Sequence, residues 1–317
     1  MEKKATRYGY SEALLEMGAV DQNIVVLDAD LSRSTSTELF MKKFPERFFN
    51  LGVAEQNLMG VAGGLSLMGK IPFATTYSIF ASGRAWEQLR TTVCYSNLNV
   101  KIGGSHAGVM TGPDGASHQA LEEITLTRVL PNLTVFVPCD YIEAKKATLA
   151  AAKIKGPVYI RLGREAIPII TTADTVFEPG RGIVMRPGTD LTIIACGVMV
   201  NEALQAAVAL QERGISARVV NLHTLKPLDE TLIEKCARET GAIVTAEEHE
   251  IYGGLGGAIS EAIVKSWPVP VEMVGVKDQF GESGQPEELL RHFNLKDTDI
   301  VAAAEKVLAR KNKKQGI

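Results

Sequence analysis

The sequence predicts an α/β protein of two domains, each built around a mostly parallel sheet. The chain has 317 residues, and single domains commonly span about 100–200 residues. Short apolar runs alternate with longer segments of helical periodicity, which is the pattern of strand–helix–strand units. A segment rich in proline and glycine, residues 169–188, interrupts this alternation and predicts a linker. We therefore expect a first domain over residues 1–168 and a smaller second domain over residues 189–317.

Short runs rich in β-branched and aromatic residues predict six strands in the first domain. They are Ile24–Leu27, Phe48–Leu51, Phe73–Thr75, Val100–Gly103, Thr134–Val137 and Val158–Arg161. Apolar residues at helical spacing predict helices at Tyr10–Gly18, Asn57–Met68, Arg84–Cys94 and Ile142–Lys153. The run from Phe48 to Val53 predicts a short buried strand, Phe48–Leu51, and the turn that follows it.

The second domain repeats the same alternation. Its predicted strands are Leu191–Ala195, Ala217–Asn221, Ala242–Thr245 and Val271–Gly275. Its predicted helices are Asn201–Arg213, Asp229–Thr240, Gly256–Ser266, Pro286–His292 and Asp297–Lys311. Strands separated by helical segments favour parallel pairing here as well.

Composition and charge exclude several classes of function. A hydrophobic content of 45% and a charged content of 22% are typical of a soluble globular protein. The net charge of −3 gives no basic footprint for nucleic acid, and no apolar run is long enough for a membrane span. The four cysteines lack CxxC spacing and the histidines lack an HExxH pattern, so we predict no metal site in this chain and a reducing, cytoplasmic setting.

Glu55 is a carboxylate at a position where burial is expected. It lies between the predicted strand at Phe48–Leu51 and the helix Asn57–Met68, whose small residues indicate close packing. Burial disfavours the charged form of a carboxylate, which suits the group to proton transfer near neutral pH. The alternative interpretation is an ordinary capping glutamate at a helix start.

Two glycine-rich segments are candidate sites. Gly253–Gly257 follows a strand and opens a helix, but it lacks the GxGxxG pattern and favours close packing over a dinucleotide site. The other segment carries His106, Asp114 and His118 after the strand at Val100–Gly103. Ligands of parallel sheets bind beyond the carboxyl ends of strands, so this loop predicts a site.

Tyr77 and Phe80 follow the strand at Phe73–Thr75 and lie three residues apart. Residues at this spacing share one face of a helix, so the two rings could wall an apolar pocket for a flat ring. Ordinary core aromatic residues remain the alternative.

These residues belong to motifs that identify a family. The chain resembles the C-terminal half of transketolase, with its pyrimidine-binding and C-terminal domains, over nearly its whole length. The most specific motifs are Gly52-Val53-Ala54-Glu55-Gln56, Ala29-Asp30-Leu31, Asp114-Gly115-Ala116-Ser117-His118-Gln119 and Asp278-Gln279-Phe280-Gly281-Glu282-Ser283-Gly284. The resemblance implies transfer of a two-carbon glycolaldehyde unit from a ketose phosphate to an aldose phosphate.

The resemblance also implies thiamine diphosphate as the cofactor, bound between two polypeptide surfaces. The family glutamate that matches Glu55 bonds the N1′ nitrogen of the aminopyrimidine and favours the tautomer that deprotonates the thiazolium. Phe80 matches the residue that stacks on the pyrimidine, and Tyr77 matches a second wall. Asp30 matches a residue near the thiazolium. The carbanion chemistry itself belongs to the cofactor.

Two further groups of residues match the family's substrate channel. His106 and His118 match catalytic histidines that line it, and Asp114 matches the residue that reads the donor's hydroxyl stereochemistry.

The sugar phosphate is held in the family by groups that match Arg7, Ser34 and His106. A further arginine, either Arg161 or Arg164, is expected to join them, with Arg161 preferred. Guanidinium groups suit a phosphate because they bind it bidentately.

The family's Gly-Asp-Gly motif, which holds a metal on the diphosphate, does not occur in this sequence. We therefore expect a separate N-terminal transketolase subunit that carries this motif and holds Mg (or Ca), in an α₂β₂ assembly. Because Met1 directly precedes the pyrimidine-domain pattern, a naturally split subunit is expected.

Two other enzymes of the same superfamily remain alternatives. The β subunit of a 2-oxoacid dehydrogenase's decarboxylating component has the same two domains, but it has no need to grip a sugar phosphate. A deoxyxylulose-phosphate synthase-like enzyme would also fit Tyr77, Arg84, Asp114 and His118.

Overall fold

Two mostly parallel sheets organise the chain in the computed structural model, which describes residues 1–315. One sheet has seven strands and the other has five, and a two-stranded antiparallel pair joins the two ends of the first domain. The predicted α/β fold with two domains is confirmed. The last two residues of the predicted second domain, 316 and 317, lie outside the described range.

The described part of the first domain has eight strands and seven α-helices. The strands are β1 (Lys3–Lys4), β2 (Ile24–Asp28), β3 (Phe48–Asn50), β4 (Ile71–Tyr77), β5 (Lys101–Ser105), β6 (Thr134–Phe136), β7 (Val158–Arg161) and β8 (Ile167–Pro168). The helices are α1 (Thr6–Val20), α2 (Ser32–Thr35), α3 (Glu38–Lys43), α4 (Glu55–Leu67), α5 (Trp86–Gln88), α6 (Glu123–Arg128) and α7 (Tyr141–Lys153).

The second half of the chain supplies the remaining elements. Its strands are β9 (Ile183–Arg186), β10 (Leu191–Ala195), β11 (Ala217–Asn221), β12 (Thr224–Lys226), β13 (Ile243–Glu250) and β14 (Val271–Val276). Its helices are α8 (Met199–Glu212), α9 (Glu230–Thr240), α10 (Leu255–Lys265), α11 (Pro286–His292) and α12 (Asp297–Gln315).

The strand order explains how the two domains are joined. The seven-stranded sheet runs β12-β6-β7-β5-β4-β2-β3, and the five-stranded sheet runs β14-β13-β10-β11-β9. Strand β12 comes from the second half of the chain and pairs antiparallel with β6 at one edge of the first sheet. Strand β9, which lies within the predicted linker, pairs antiparallel with β11. The β12–β6 pair joins the two halves of the chain, and the β9–β11 pair makes part of the predicted linker a strand of the second sheet.

The prediction of a buried strand at Phe48–Leu51 was wrong. Strand β3 is the outermost strand of its sheet, and Phe49 and Asn50 are exposed. The predicted single helix at Arg84–Cys94 is also wrong, because this stretch is divided into π-helical turns at Phe80–Arg84 and Leu89–Cys94 around the short α5. Bulges of this kind are frequent at functional sites because they re-aim side chains.

Two glycines of the candidate loop are required by packing in the first sheet. A Cβ atom on Gly103 would lie 2.7 Å from the Tyr10 hydroxyl, and one on Gly104 would lie 2.2 Å from the Tyr159 hydroxyl. These two positions therefore serve close packing beneath the site rather than ligand binding.

Candidate active site

The carboxyl ends of three neighbouring strands, β2, β4 and β5, meet at one edge of the first sheet. Asp30 lies just after β2, Tyr77 ends β4, and His106 lies just after β5. Parallel strands bring their carboxyl ends to the same edge, which is where ligands of open α/β sheets bind. The fold thus gathers here residues that are far apart in the sequence.

Glu55 is the first residue of α4 and is only 1% exposed. Its Oε2 atom accepts a hydrogen bond of 2.9 Å from Nη1 of Arg84, whose side chain is half-exposed. Its Oε1 atom is buried and has no hydrogen-bond partner among the described residues. The carboxylate therefore bonds a side chain rather than capping its own helix, and one oxygen remains available to a donor from outside this chain.

Tyr77 and Phe80 belong to a cluster of four rings, which Arg84 links to Glu55. Their own rings are nearly parallel, with centroids 6.0 Å apart. The imidazole of His118 meets both rings edge-on, and that of His106 lies 4.3 Å from the Tyr77 centroid. The structure thus brings the two aromatic residues and the two histidines of the sequence prediction together.

Arg84 was not among the predicted site residues, although it lies one helical turn after Phe80. Its guanidinium carbon is 4.2 Å from the Phe80 ring centroid while Nη1 bonds Glu55. A flat group with N–H donors therefore fits between these two side chains. The spacing of four residues was the signal that could have identified Arg84.

His106 is buried beside a cation. Its Nε2 atom is 2.8 Å from Nη1 of Arg7 and 3.2 Å from the backbone oxygen of Ser34. Burial, followed by the positive charges of Arg7 and Arg164, lowers the pKa of His106 to about 3. Because a guanidinium can only donate, Nε2 accepts and the proton of the neutral ring lies on Nδ1, which is buried without a partner in the described chain.

Ser34 reaches this point through its backbone. The Arg7 side chain donates to the Ser34 carbonyl oxygen at 3.1 Å, and no hydrogen bond of the Ser34 hydroxyl is recorded in the described chain. The predicted phosphate-holding set of Arg7, Ser34 and His106 is therefore brought together around Arg7, whose guanidinium donates to the Ser34 carbonyl oxygen and to Nε2 of His106.

We call residues 106–118 the histidine loop. After His106 it forms a 3₁₀ turn at Val109–Asp114 and carries His118 at its far end. His106 has a left-handed backbone (φ 58°), an unusual conformation for a residue with a side chain. The Ser117 hydroxyl lies 2.9 Å from Nδ1 of His118 and orients that ring.

The two candidate arginines occupy different environments. Arg164 is partly exposed, lies 3.1 Å from the Asp114 carboxylate and donates to the Thr111 backbone oxygen. Arg161 is buried and forms ion pairs with Glu123 at 2.5 Å and Glu248 at 3.3 Å. Although burial opposes its charge, these carboxylates hold the pKa of Arg161 above its usual value. The preferred candidate of the sequence prediction, Arg161, therefore has its donors engaged inside the protein, whereas Arg164 faces the histidine loop.

Asp30 lies at the outer part of the same edge. It is exposed, has a left-handed backbone and accepts a hydrogen bond of 2.8 Å from the Asn50 side chain. It does not touch the ring cluster.

The glycine-rich turn at Gly253–Gly257 holds an internal carboxylate. Glu247 accepts hydrogen bonds from the backbone amides of Leu255 and Gly256 at 2.6 and 2.8 Å. Because Glu247 already occupies the helix N-terminus, these amides cannot cradle a phosphate. The packing interpretation of this turn fits the structure.

Other kinds of site have little support between residues 1 and 315. There, no group of three or more histidine, cysteine, aspartate or glutamate side chains is placed to hold a metal ion. None of the helices described is long and apolar enough to cross a membrane.

Comparisons with known proteins agree with this geometry. The family model for the transketolase pyrimidine binding domain matches residues 2–169, and that for the transketolase C-terminal domain matches residues 180–300. A putative transketolase C-terminal section from Methanocaldococcus jannaschii is 49% identical, covering 94% of each chain. A 6-deoxy-6-sulfo-D-fructose transketolase subunit from Clostridium sp. is 42% identical, covering 98% of this chain and 97% of the relative. A solved structure of a split gene transketolase, described as an inactive beta4 tetramer, is 54% identical with a TM-score of 0.91, covering 97% of this chain and 99% of the other.

Proposed function

The chain belongs to the transketolase family, and on that premise we propose that it is one subunit of a thiamine-diphosphate-dependent enzyme that moves a two-carbon unit between sugar phosphates. The observation that carries this proposal is the buried Glu55 carboxylate, with one unpartnered oxygen beside a ring cluster.

The residues at the site fit the aminopyrimidine end of that cofactor. Glu55 Oε1 is an orphaned acceptor, and a ring N–H is a donor that would satisfy it. Arg84 supports the fit, because its planar guanidinium already bonds Glu55 while lying against Phe80. An aminopyrimidine offers the same combination of a flat face and N–H donors. It would bond Glu55, stack on Phe80 and take the place of Arg84.

The protein's contribution is to hold a proton between Glu55 and the cofactor ring. When bound, thiamine diphosphate supplies the nucleophilic carbon that carries the two-carbon unit. Glu55 would accept a hydrogen bond from the protonated ring nitrogen through Oε1, which has no partner among the described residues. Tyr77 and Phe80, whose rings are nearly parallel, would wall the cofactor ring on its apolar side.

The histidine loop and the two arginines beside it, Arg7 and Arg164, supply the groups proposed to meet the sugar. Arg7 and Arg164 are the cations proposed to hold the anionic end of the substrate, and the buried Nδ1–H of His106 is a donor without a partner in the described chain. Asp114 is proposed to accept a hydrogen bond from a hydroxyl group of the donor sugar. His118 is proposed to transfer a proton to or from the reacting oxygen of the sugar. Two arginines suit a phosphate and also a sulfonate, so a sulfosugar is the second substrate to test.

A partner subunit is proposed because the residues of this site fit the aminopyrimidine end of the cofactor, while the Gly-Asp-Gly motif for the diphosphate end does not occur in this sequence. Helix α4, which begins at Glu55, exposes a face with Gly60 and Gly64, where an added Cβ would meet nothing within 4 Å. Leu67 and Met68 extend this apolar face and are 73% and 80% exposed. We propose that a separate N-terminal transketolase subunit covers it and holds the diphosphate and Mg (or Ca) through a Gly-Asp-Gly motif, in an α₂β₂ assembly.

Reconstitution tests the proposed function. The chain is purified alone and with a second subunit that carries Gly-Asp-Gly, and each preparation is assayed with thiamine diphosphate, Mg²⁺, xylulose 5-phosphate and ribose 5-phosphate. We expect turnover in the mixture and none with either chain alone. Full activity of this chain alone would contradict the split site.

Substrate profiling on the same mixture tests the reaction class. We expect ketose phosphates or a sulfoketose to serve as donors. Turnover of pyruvate with glyceraldehyde 3-phosphate, without ketose turnover, would instead indicate a deoxyxylulose-phosphate synthase-like enzyme. Acyl transfer to a lipoyl group would indicate a 2-oxoacid dehydrogenase component.

A further inference from the structure

The conformation of the histidine loop depends on contacts with residues outside the loop. It contains glycines with left-handed backbones at Gly108, Gly112 and Gly115, and its 3₁₀ turn is broken at Gly112. Such a segment keeps one conformation only when its surroundings over-determine it. Two buried polar side chains, Glu248 and Gln119, make the contacts that do so.

Glu248 comes from strand β13 of the second domain and reaches into the first. It is 4% exposed, and its Oε1 accepts the Met110 backbone amide at 2.7 Å. A Cβ on Gly108 would lie 2.2 Å from this carboxylate, so the loop backbone passes directly against it. Arg161 fixes the other oxygen at 3.3 Å. The buried ion pair therefore has a loop amide as its third member.

Gln119 joins the far end of the loop to the second domain. It is 3% exposed, and its side-chain amide donates to the Val109 oxygen at 3.0 Å and to the Glu282 oxygen at 2.8 Å. A Cβ on Gly281 would lie 1.7 Å from Gln119 Oε1, and one on Gly115 would lie 2.4 Å from the Ser283 hydroxyl. The motif at residues 278–284 thus packs directly against the far end of the histidine loop.

We propose that Gln119 and Glu248 are positioning residues through which the second domain sets the geometry of Asp114 and His118. Neither side chain is placed to touch the substrate, and both act on the loop backbone. This inference rests on the proposed function, since it assigns Asp114 and His118 to the sugar. The second domain contributes none of the proposed catalytic residues, and under this proposal it acts on the reaction through the loop that carries Asp114 and His118.

The kinetic test compares two buried amides at the domain boundary in the reconstituted complex. Gln119→Met keeps the size of the side chain and removes the donor to Glu282. The control is Asn221→Leu, which likewise removes a buried side-chain amide. The Asn221 amide donates to the Glu143 carboxylate at 2.8 Å and makes no recorded bond to the histidine loop. We expect Gln119→Met to raise the KM for the donor sugar about tenfold or more, while the Kd for thiamine diphosphate changes less than about twofold. Asn221→Leu should leave both constants near the wild-type values. Equal effects of the two substitutions on KM would overturn the proposal.

The Glu248 contact is tested by a pair of variants. Glu248→Ala removes the acceptor for the Met110 amide, and we expect the same selective rise in KM. Glu248→Gln keeps an oxygen at that position and should recover most of the loss. Failure of Glu248→Gln to improve on Glu248→Ala would show that the charge, rather than the bond to the loop, is what matters.

Hydrogen exchange separates this inference from the proposed function. We expect faster amide exchange across residues 108–118 in Gln119→Met and Glu248→Ala, and wild-type exchange there in Asn221→Leu. Unchanged exchange in all three variants would overturn the positioning role even in an active enzyme. If the wild-type complex transfers no ketol unit, the proposed function fails, and the exchange data still decide whether these residues fix the loop.

Discussion

The Glu55 site and the histidine loop differ in how they are built. Glu55 opens a regular helix, α4, and its neighbour Phe80 lies on a helical turn of the same domain. The histidine loop has broken 3₁₀ structure, and it depends on Glu248 and on residues near Glu282 from the second domain. Under our proposal the first region activates the cofactor and the second recognises the sugar.

This difference suggests a division between chemistry and specificity. A group that acts on the cofactor must have one fixed geometry for every substrate, and a regular helix within one domain provides it. A loop shaped from a second domain can vary with that domain while Glu55 stays the same.

The largest expected effect comes from the Glu55 site. Glu55→Gln preserves size but cannot share a proton as a carboxylate does, so we expect kcat to fall by about 10²–10⁴-fold. The fall should be similar for every donor sugar, because the cofactor step is common to all of them. Steady-state kinetics of the reconstituted complex with two donors measures it.

The control for this variant is Glu261→Gln. Glu261 is also a carboxylate paired with an arginine, Arg128, but it lies on α10 of the second domain. We expect its substitution to leave kcat near the wild-type value. A near-normal rate for Glu55→Gln, or a loss confined to one donor, would contradict the division between the two regions.

The two arginines give the next largest effect, and they separate stability from recognition. Arg161→Met leaves Glu123 and Glu248 buried without their cation, so we expect a loss of about 3–5 kcal/mol in the free energy of unfolding. Arg164→Met should leave stability nearly unchanged and raise the KM for a phosphorylated donor by about 10–100-fold, the value of a charged hydrogen bond. Denaturant unfolding and kinetics on both variants measure these quantities.

The donor itself provides the internal control. A ketose of the same class without the phosphate should show no comparable rise in KM with Arg164→Met. The opposite pattern, with Arg161→Met folding normally and losing affinity for the phosphate, would restore Arg161 to the role that the sequence favoured.

Sequence reasoning predicted most of the regular structure and the burial of Glu55 from local signals, whereas the role proposed for Glu55 rested on the family resemblance. Alternating apolar runs marked the parallel strands, and a carboxylate before a helix of small residues marked Glu55. Phe48–Leu51 was misjudged because composition does not reveal that β3 forms the edge of its sheet. Sheet order is a property of the whole topology and leaves no mark on a single strand.

The histidine loop was predicted as a set of residues but not as a structure. Its motif identified Asp114 and His118, whereas the groups that hold it lie more than 130 residues away: Glu248 accepts from the Met110 amide, and the Glu282 backbone oxygen accepts from the Gln119 side chain. Nothing local to the loop indicates these contacts. The choice between Arg161 and Arg164 depended on the same long-range information, since only the fold reveals that Glu123 and Glu248 surround one of them.

The expected effect that is smallest per pH unit is a pH dependence of stability, to which His106 of the histidine loop and the buried His223 both contribute. Burial lowers the pKa of His106 to about 3 and that of His223 to about 4, whereas an unfolded histidine titrates near 6.5. Between these values the unfolded chain binds protons that the folded chain does not. Stability is therefore complete above about pH 6.5 and falls as the pH drops toward 3, by up to about 1.4 kcal/mol per pH unit for each histidine.

Replacement of His106 tests where this acid sensitivity resides. Asn does not titrate, so His106→Asn should reduce the slope of the unfolding free energy against pH between about 6.5 and 4 and leave the contribution of His223. His292→Asn, at an exposed position on α11, should leave the dependence unchanged. Parallel curves for wild type and His106→Asn would mean that His106 becomes protonated without cost in the folded protein, so that the loop is less tightly closed around it than its contacts with Arg7 and Ser34 imply.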